Sequence, residues 1–203
     1  MWAPDVYEGA PLPVTAYLAV GSKAAAFALI LRLFATAFLP AIGQWQFVLV
    51  ILAGVTMTFG NLVAMAQHNI KRLLAYSSIG QVGYLLMGVA AISTASSNAI
   101  ILHLVGYGIA NLTAFVAIIA FYNATGKDEV GDFAGLADRN PFIAMALTAA
   151  FLSLAGLPFF VGFITKFYLF LAVTQADLLW LAALGIFNSL LSLYYYLLVI
   201  REM

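Results

Sequence analysis

Residues 154–170 read LAGLPFFVGFITKFYLF. This stretch lies inside an apolar run, residues 141–173, whose only charged residue is Lys166. A membrane-spanning helix needs about 20 apolar residues, so the run is too long for one straight crossing. Pro158 donates no backbone hydrogen bond and clashes with the preceding turn, so we expect the helix to break at Gly156–Pro158.

A break at membrane depth leaves backbone carbonyls and amides without helical partners. Hydrocarbon cannot satisfy them, so they are expected to be covered by protein or to line a wet cavity. Lys166 lies about two helical turns after the break. A broken helix beside a buried ammonium is energetically unfavourable, and such arrangements usually mark an ion path.

Composition predicts the class of protein. The chain has 203 residues, of which 65% are hydrophobic and 8% charged, whereas soluble domains carry about 25% charged residues. We therefore predict an all-α, polytopic membrane helix bundle, with residues 1–203 forming a single transmembrane domain. The 8 basic and 8 acidic residues cancel, so no nucleic-acid partner is expected. The chain has no cysteine, and we find no nucleotide-binding loop or metal-ligand spacing, so no cofactor or metal site is expected within it.

Six apolar segments can cross a bilayer when the broken one is counted once. They are residues 13–39, 45–67, 73–92, 99–122, 141–173 and 178–200. Residues 123–140 form the one long polar loop, in which residues 130–136 are expected to make a short surface helix.

Loop charges predict the orientation. With six crossings, the N-terminal segment, residues 68–72, residues 123–140 and the C-terminal tail share one side, which carries five of the basic residues. The positive-inside rule then places both ends of the chain in the cytoplasm or its organellar equivalent.

Lys23 and Lys166 are the main candidates for chemistry. Lys23 lies about 15 Å inside the first span, and a lysine at the centre of a membrane helix costs on the order of 2.5–3.5 kcal/mol. Burial disfavours the charged amine, so such a group can exchange a proton when a nearby charge changes. The alternative is that both lysines snorkel to the headgroups or pair with acids on partner helices.

Three polar residues of the fourth span recur at a spacing of four: His103, Tyr107 and Asn111. They lie on one helical face and could hold water between the two lysines. Histidine exchanges protons near neutral pH, which makes His103 and Tyr107 candidates for a proton relay with the lysines. Ordinary hydrogen bonding between helices explains the pattern equally well for His103 and better for Asn111.

Two further patterns favour structural interpretations. Tyr194, Tyr195 and Tyr196 lie near the end of the last span and are interpreted as an interfacial belt. Small residues let membrane helices pack closely, which is how we interpret five glycines of the second and third spans: Gly54, Gly60, Gly80, Gly83 and Gly88.

Five motifs occur here in a family-specific order: PDVYEGAP (residues 4–11), SK (22–23), NIKRLLAYSS (69–78), GLP (156–158) and GFITKFY (162–168). Together they resemble subunit N (subunit 2) of proton-pumping NADH–quinone oxidoreductase, an antiporter-like membrane subunit of respiratory complex I. The resemblance covers essentially the whole chain. His68 and His103 depart from the residues that the family more often has there.

The resemblance implies a fourteen-helix fold with two inverted five-helix repeats, each with a broken helix. The six spans then correspond to helices 8–13, and the family's N-terminal half and last helix are expected to lie outside this chain. Lys23 matches the lysine that links the two half-channels. Lys166 matches the lysine of the broken twelfth helix, near the exit.

The resemblance also implies the function. The chain would belong to a proton translocase that relays protons through Lys23 and Lys166 while quinone is reduced in other subunits. The polar face of the fourth span adds His103 and Tyr107 to this relay as our own hypothesis. NAD, FMN, iron–sulfur clusters and quinone would bind partner subunits, which include related antiporter-like subunits. The expected location is a bacterial plasma membrane. A stand-alone cation/proton antiporter or other secondary transporter, a structural spacer, and a related complex with another electron donor are the alternatives.

Overall fold

The computed structural model describes residues 2–203, which are all-α. The helices are α1 (Trp2–Gly9), α2 (Leu12–Ala37), α3 (Ile42–Ala64), α4 (Ile70–Ala90), α5 (Thr94–Thr125), α6 (Leu136–Arg139), α7 (Pro141–Ala155), α8 (Val161–Gln175) and α9 (Leu179–Glu202). Two turns of α2 are π-helical, Leu18–Ser22 and Leu33–Ala37.

Five helices are long and apolar enough to cross a membrane, judged by length and composition, and α7 and α8 are shorter apolar helices. α7 ends at Ala155 and α8 begins at Val161, so the segment between them contains both Gly156 and Pro158. The predicted polytopic bundle with one broken span is therefore confirmed.

Capping explains where a helix end differs from its predicted position. The fourth span was expected over residues 99–122, yet α5 runs from Thr94 to Thr125. Ser93 and Ser96 form a reciprocal capping box at its start, and Gly126 ends it in the left-handed conformation. Polar caps extend a helix beyond its apolar run, so the apolar run alone does not show where the helix begins and ends.

Helices α3 and α4 pack with their backbones in direct contact. A Cβ atom on Gly60 would lie 2.5 Å from the backbone nitrogen of Gly80. A Cβ atom on Gly83 would lie 2.5 Å from the backbone nitrogen of Met57. The prediction that these glycines allow close packing is confirmed.

Ion pairs join α1, the start of α4 and the long polar loop at one end of the bundle. Lys71 Nζ lies 2.7 Å from Asp128 Oδ2 and donates a hydrogen bond to the Glu8 carbonyl at 2.8 Å. Arg72 Nη1 lies 2.7 Å from Glu8 Oε2 and 3.1 Å from Asp5 Oδ1. These contacts hold the N-terminal helix and the loop on the same end, as six crossings require.

The predicted surface helix at residues 130–136 is wrong. Residues Val130–Phe133 form a 3-10 turn, and α6 begins only at Leu136. Gly135 adopts the left-handed conformation between them, with φ of 72°. Phe133 is fully buried and stacks on Phe121 with ring centroids 4.1 Å apart, so the loop packs into the bundle.

The interfacial belt is wrong for Tyr195 and Tyr196, which are 1% and 0% exposed. Tyr195 donates a hydrogen bond to Asn61 Oδ1 at 3.0 Å, and Tyr196 is hydrogen bonded to Ser77. Only Tyr194 is exposed, at 53%. Successive residues of a helix point in different directions, so three consecutive tyrosines cannot share its outer face.

Candidate functional site

Lys166 lies on α8, and its ammonium points back at the break. α7 ends at Ala155 because the next residue, Gly156, has a φ of 86° that stops the helix, so the last carbonyls of α7 lack helical N–H partners. Leu154 O and Ala155 O each accept a hydrogen bond from Lys166 Nζ at 3.0 Å. The Ser189 hydroxyl of α9 lies 3.1 Å from the same nitrogen. The negative end of α7 therefore solvates the ammonium, and the expectation that protein covers the bare carbonyls is met.

The start of α8 lies directly against the end of α7. A Cβ atom on Gly162 would lie 1.7 Å from the carbonyl oxygen of Ser153, which only glycine can tolerate. The Gly162 N–H, one of the unpaired donors at the start of α8, donates to Ser153 Oγ at 3.2 Å. This contact brings Lys166, one turn further along α8, within reach of the α7 carbonyls.

Lys23 follows the π-helical turn Leu18–Ser22 of α2. Its Nζ donates hydrogen bonds to Ala19 O and to Tyr107 Oη, each at 3.2 Å, and is hydrogen bonded to Ser78. Tyr107 Oη in turn donates to Ala19 O at 3.2 Å. The carbonyl of the π-turn thus accepts hydrogen bonds from both side chains.

Both lysine nitrogens bond to groups inside the bundle, so the snorkelling alternative is wrong. Lys166 is 3% exposed, and Lys23 is partly exposed. Neither ammonium forms an ion pair with a carboxylate of residues 2–203. Each is instead surrounded by neutral dipoles, which leaves its charge state sensitive to other charges nearby.

His103 is 2% exposed and links α5 to two other helices. Its Nδ1 lies 3.0 Å from Thr165 Oγ1, and its Nε2 lies 3.2 Å from Gln81 Oε1. Gln81 Nε2 donates to Leu154 O at 3.3 Å, the carbonyl that also accepts from Lys166. His103 is therefore connected with the ammonium of Lys166 by hydrogen bonds through the Gln81 side chain and the Leu154 carbonyl.

The hydrogen bonds of His103 suit both of its charge states. Because the Gln81 amide group donates elsewhere, its oxygen accepts from His103 Nε2–H. The Thr165 hydroxyl has a second possible acceptor, Gly162 O at 3.1 Å. When His103 is neutral, the Thr165 hydroxyl can donate to His103 Nδ1. When His103 is protonated, the hydroxyl can donate to Gly162 O and accept from His103 Nδ1–H. Rotation of one hydroxyl thus accommodates uptake of a proton.

A small cavity of about 10 Å³ lies between the two lysine sites. Its lining includes Gln81, His103, Tyr107 and Lys166. A cavity of this size with several polar partners has room for about one water molecule. Tyr107 also bonds Lys23, so His103 and Tyr107 of α5 lie on the lining between the two lysine sites. Asn111, the third residue of the stripe, does not line this cavity. Its Nδ2 is buried without a hydrogen-bond partner among residues 2–203, so the predicted interhelical hydrogen bond from this donor is wrong.

A family model described as NADH:quinone oxidoreductase/Mrp antiporter, TM, matches residues 1–192. The chain belongs to this family. The resemblance inferred from the five motifs is thereby confirmed, and the broken span of this antiporter-family chain is the one that carries Lys166.

Three known proteins show how far the similarity of this antiporter-family chain extends. NADH-quinone oxidoreductase subunit N of Moorella thermoacetica is 50% identical over 203 residues, which are 100% of this chain and 43% of that protein. The structure of the Mrp complex from Dietzia sp. has a TM-score of 0.94 at 30% identity, covering 100% of this chain and 38% of the matched chain. Respiratory complex I from Thermus thermophilus with bound aureothin has a TM-score of 0.79 at 33% identity, covering 99% and 44%. The chain thus spans less than half the length of these relatives.

Sequence reasoning missed several partners of the site in this family member: Ser78, Gln81, Tyr84 and Ser189. Ser78, Gln81 and Tyr84 recur every three residues along α4, a spacing that places them along one side of a helix. That pattern could have identified α4 as a polar helix of the site. Nothing in the sequence around Ser189 distinguishes it from other serines of membrane helices.

Proposed function

We propose that this chain is part of a proton-translocating membrane-arm subunit of an NADH:quinone oxidoreductase. The observation that carries the proposal is the pair of inward-pointing ammonium groups, Lys23 and Lys166, without carboxylate partners among residues 2–203. Tyr107, which bonds Lys23, lines the same small cavity as Lys166. The relatives named subunit N support the same assignment.

The proton path runs from Lys23 to Lys166. A proton leaving the Lys23 ammonium passes through the Tyr107 hydroxyl to water in the small cavity, beside His103. From there it reaches the Lys166 amine, which lies on the lining of the same cavity. Proton transfer through hydroxyls and water needs groups that both donate and accept, which Tyr107 and His103 provide.

Charge on one lysine controls the other. Protonation of Lys23 disfavours the charged form of Lys166, because like charges repel. A change of charge in a neighbouring subunit would then move a proton from one site to the next, and Lys166 would release it toward the outer side. The energy for this comes from quinone reduction in other subunits, which would hold the NAD, FMN, iron–sulfur clusters and quinone.

The complex would lie in a bacterial plasma membrane with related antiporter-like subunits as neighbours. Both ends of this chain would face the cytoplasm, as the basic residues of that side favour. The ion pairs of Lys71 and Arg72 support the common location of the N-terminal helix and the loop.

The test is Lys166→Ala in the assembled complex, with the number of protons moved per electron as readout. We expect electron transfer to become uncoupled from pumping while assembly is normal. Lys127→Ala is the control, since Lys127 is 65% exposed on the loop and should leave pumping unchanged. Unchanged protons per electron in assembled Lys166→Ala would remove Lys166 from the path.

A stand-alone or Mrp-type cation/proton antiporter is the second candidate. The TM-score of 0.94 to a chain of the Mrp complex favours it. Purified protein reconstituted in liposomes, showing exchange of Na⁺ or K⁺ for protons without an electron donor, would support this candidate over the first.

A further inference from the structure

The buried ammonium of Lys166 lies over the face of a tyrosine ring, whereas that of Lys23 lies at the hydroxyl edge of another. Lys166 Nζ is 4.9 Å from the ring centroid of Tyr84, and Lys23 Nζ is 5.2 Å from that of Tyr107. A cation within about 6 Å of a ring centroid is attracted by the negative face of the ring. Both lysines thus bond to a backbone carbonyl and a serine hydroxyl, and Lys166 also contacts an aromatic face.

The two tyrosines differ in the use of their hydroxyl groups. The Tyr107 hydroxyl bonds directly to Lys23. The Tyr84 hydroxyl has no hydrogen-bond partner among residues 2–203, and the side chain is 1% exposed. Tyr84 therefore meets Lys166 through its ring alone. An edge-on contact with Phe170, at a centroid distance of 6.2 Å and an angle of 70°, holds the ring in this orientation.

We propose that Tyr84 is a positioning residue for proton exchange at Lys166, whose ring face stabilises the ammonium in place of a counter-anion. The proposal rests on the proposed function. Burial favours the neutral amine, while the α7 carbonyls, the Ser189 hydroxyl and the ring face favour the charged form. Weakening the ring's contribution shifts this balance toward the neutral amine.

The other groups around Lys166 limit what can titrate with it. His103 of α5 and Tyr84 of α4 are the titratable side chains that face it. α7 contributes two backbone carbonyls, and α9 contributes Ser189. A change confined to the electron density of the Tyr84 ring therefore reports on Lys166 or on His103, and His103→Gln separates the two.

The experiment replaces Tyr84 by phenylalanine and then by difluoro- and trifluorophenylalanine, introduced at a stop codon in the full-length subunit of the assembled complex. Fluorine lowers the negative charge on the ring face while the ring stays close to its normal shape. The readout is the pH dependence of protons moved per electron, measured also in the His103→Gln background.

We expect Tyr84→Phe to pump like the natural protein. The alkaline loss of pumping should move to lower pH with each fluorine, by roughly one pH unit in total, because a less stabilised ammonium loses its proton at lower pH. The same shift is expected with His103→Gln. The matched control is the same fluorinated series at Phe133, a fully buried ring that stacks on Phe121 at the loop end of the bundle, and it should give no shift.

Three results would overturn the role of Tyr84. Loss of pumping in Tyr84→Phe would show that the hydroxyl is the active part. A pH profile that is the same across the fluorinated series would show that the ring only fills space. A shift that disappears with His103→Gln would assign the effect to the histidine. If instead Lys166→Ala leaves pumping intact, the proposed function itself fails, which the fluorinated series alone cannot show.

Discussion

Gly156 lies directly against the side chain of Lys166. A Cβ atom built on Gly156 would lie 3.0 Å from Lys166 Cδ and 3.5 Å from Nζ. The backbone of Gly156 also has a φ of 86°, which ends α7 and exposes its last carbonyls. One residue thus creates both the acceptors for the ammonium and the space in which it lies.

Gly156→Ala is expected to have two separable effects. The left-handed backbone should cost on the order of 1–2 kcal/mol in the free energy of unfolding. The added methyl group should displace the lysine ammonium from the α7 carbonyls and lower the number of protons moved per electron. Thermal unfolding of the purified complex and pumping in membrane vesicles measure the two effects.

Gly126→Ala is the matched control. Gly126 has a similar φ of 70°, but a methyl group added there would meet nothing within 4 Å. It should show the backbone cost without the loss of pumping. Equal pumping defects in the two variants would mean that crowding of Lys166 is not the cause.

Gly60→Ala should separate α3 from α4. The new Cβ atom would lie 2.5 Å from a backbone nitrogen, which cannot rotate away, so we expect a loss of about 1–3 kcal/mol in stability. Gly43→Ala in the same helix meets nothing within 4 Å and should be neutral or slightly stabilising. The melting temperatures of the two variants decide this, and equal values would contradict direct backbone packing.

Asp128→Asn should loosen the loop end of the bundle. The Lys71 and Asp128 side chains are 11% and 24% exposed, so this ion pair is intermediate between an exposed and a fully buried one. We expect a loss of about 2 kcal/mol in the free energy of unfolding, because Lys71 keeps its charge without its partner. Lys127→Gln breaks the exposed pair with Asp132 and should cost less than about 1 kcal/mol. Urea titration compares them; a larger effect of Lys127→Gln would refute the ranking.

His103→Gln distinguishes proton exchange from packing. Glutamine can bond to Gln81 or Thr165 but takes up no proton near neutral pH, so we expect normal assembly with fewer protons moved per electron. His103→Leu removes both hydrogen bonds and should also cost about 1–3 kcal/mol in stability, since buried polar groups lose their partner. Full pumping by assembled His103→Gln would favour the packing interpretation.

Local patterns predicted much of the fold. Apolar runs predicted the crossing helices because each segment that crosses the hydrocarbon core needs its own run of apolar side chains. Pro158 predicted the break because its geometry is a property of the residue. The interfacial prediction was wrong for Tyr195 and Tyr196 because the sequence pattern of an aromatic residue near a helix end is the same whether its side chain faces lipid or a neighbouring helix.

The sequence by itself predicted a membrane bundle with a broken helix, a lysine within each of two spans, and a polar face on the fourth span. It did not establish what surrounds each ammonium. Ser189 is 23 residues from Lys166, and Tyr107 is 84 residues from Lys23. Such contacts depend on how α4, α5 and α9 pack against α2 and α8. That packing follows from glycine contacts and side-chain shapes across several helices, which no single segment encodes.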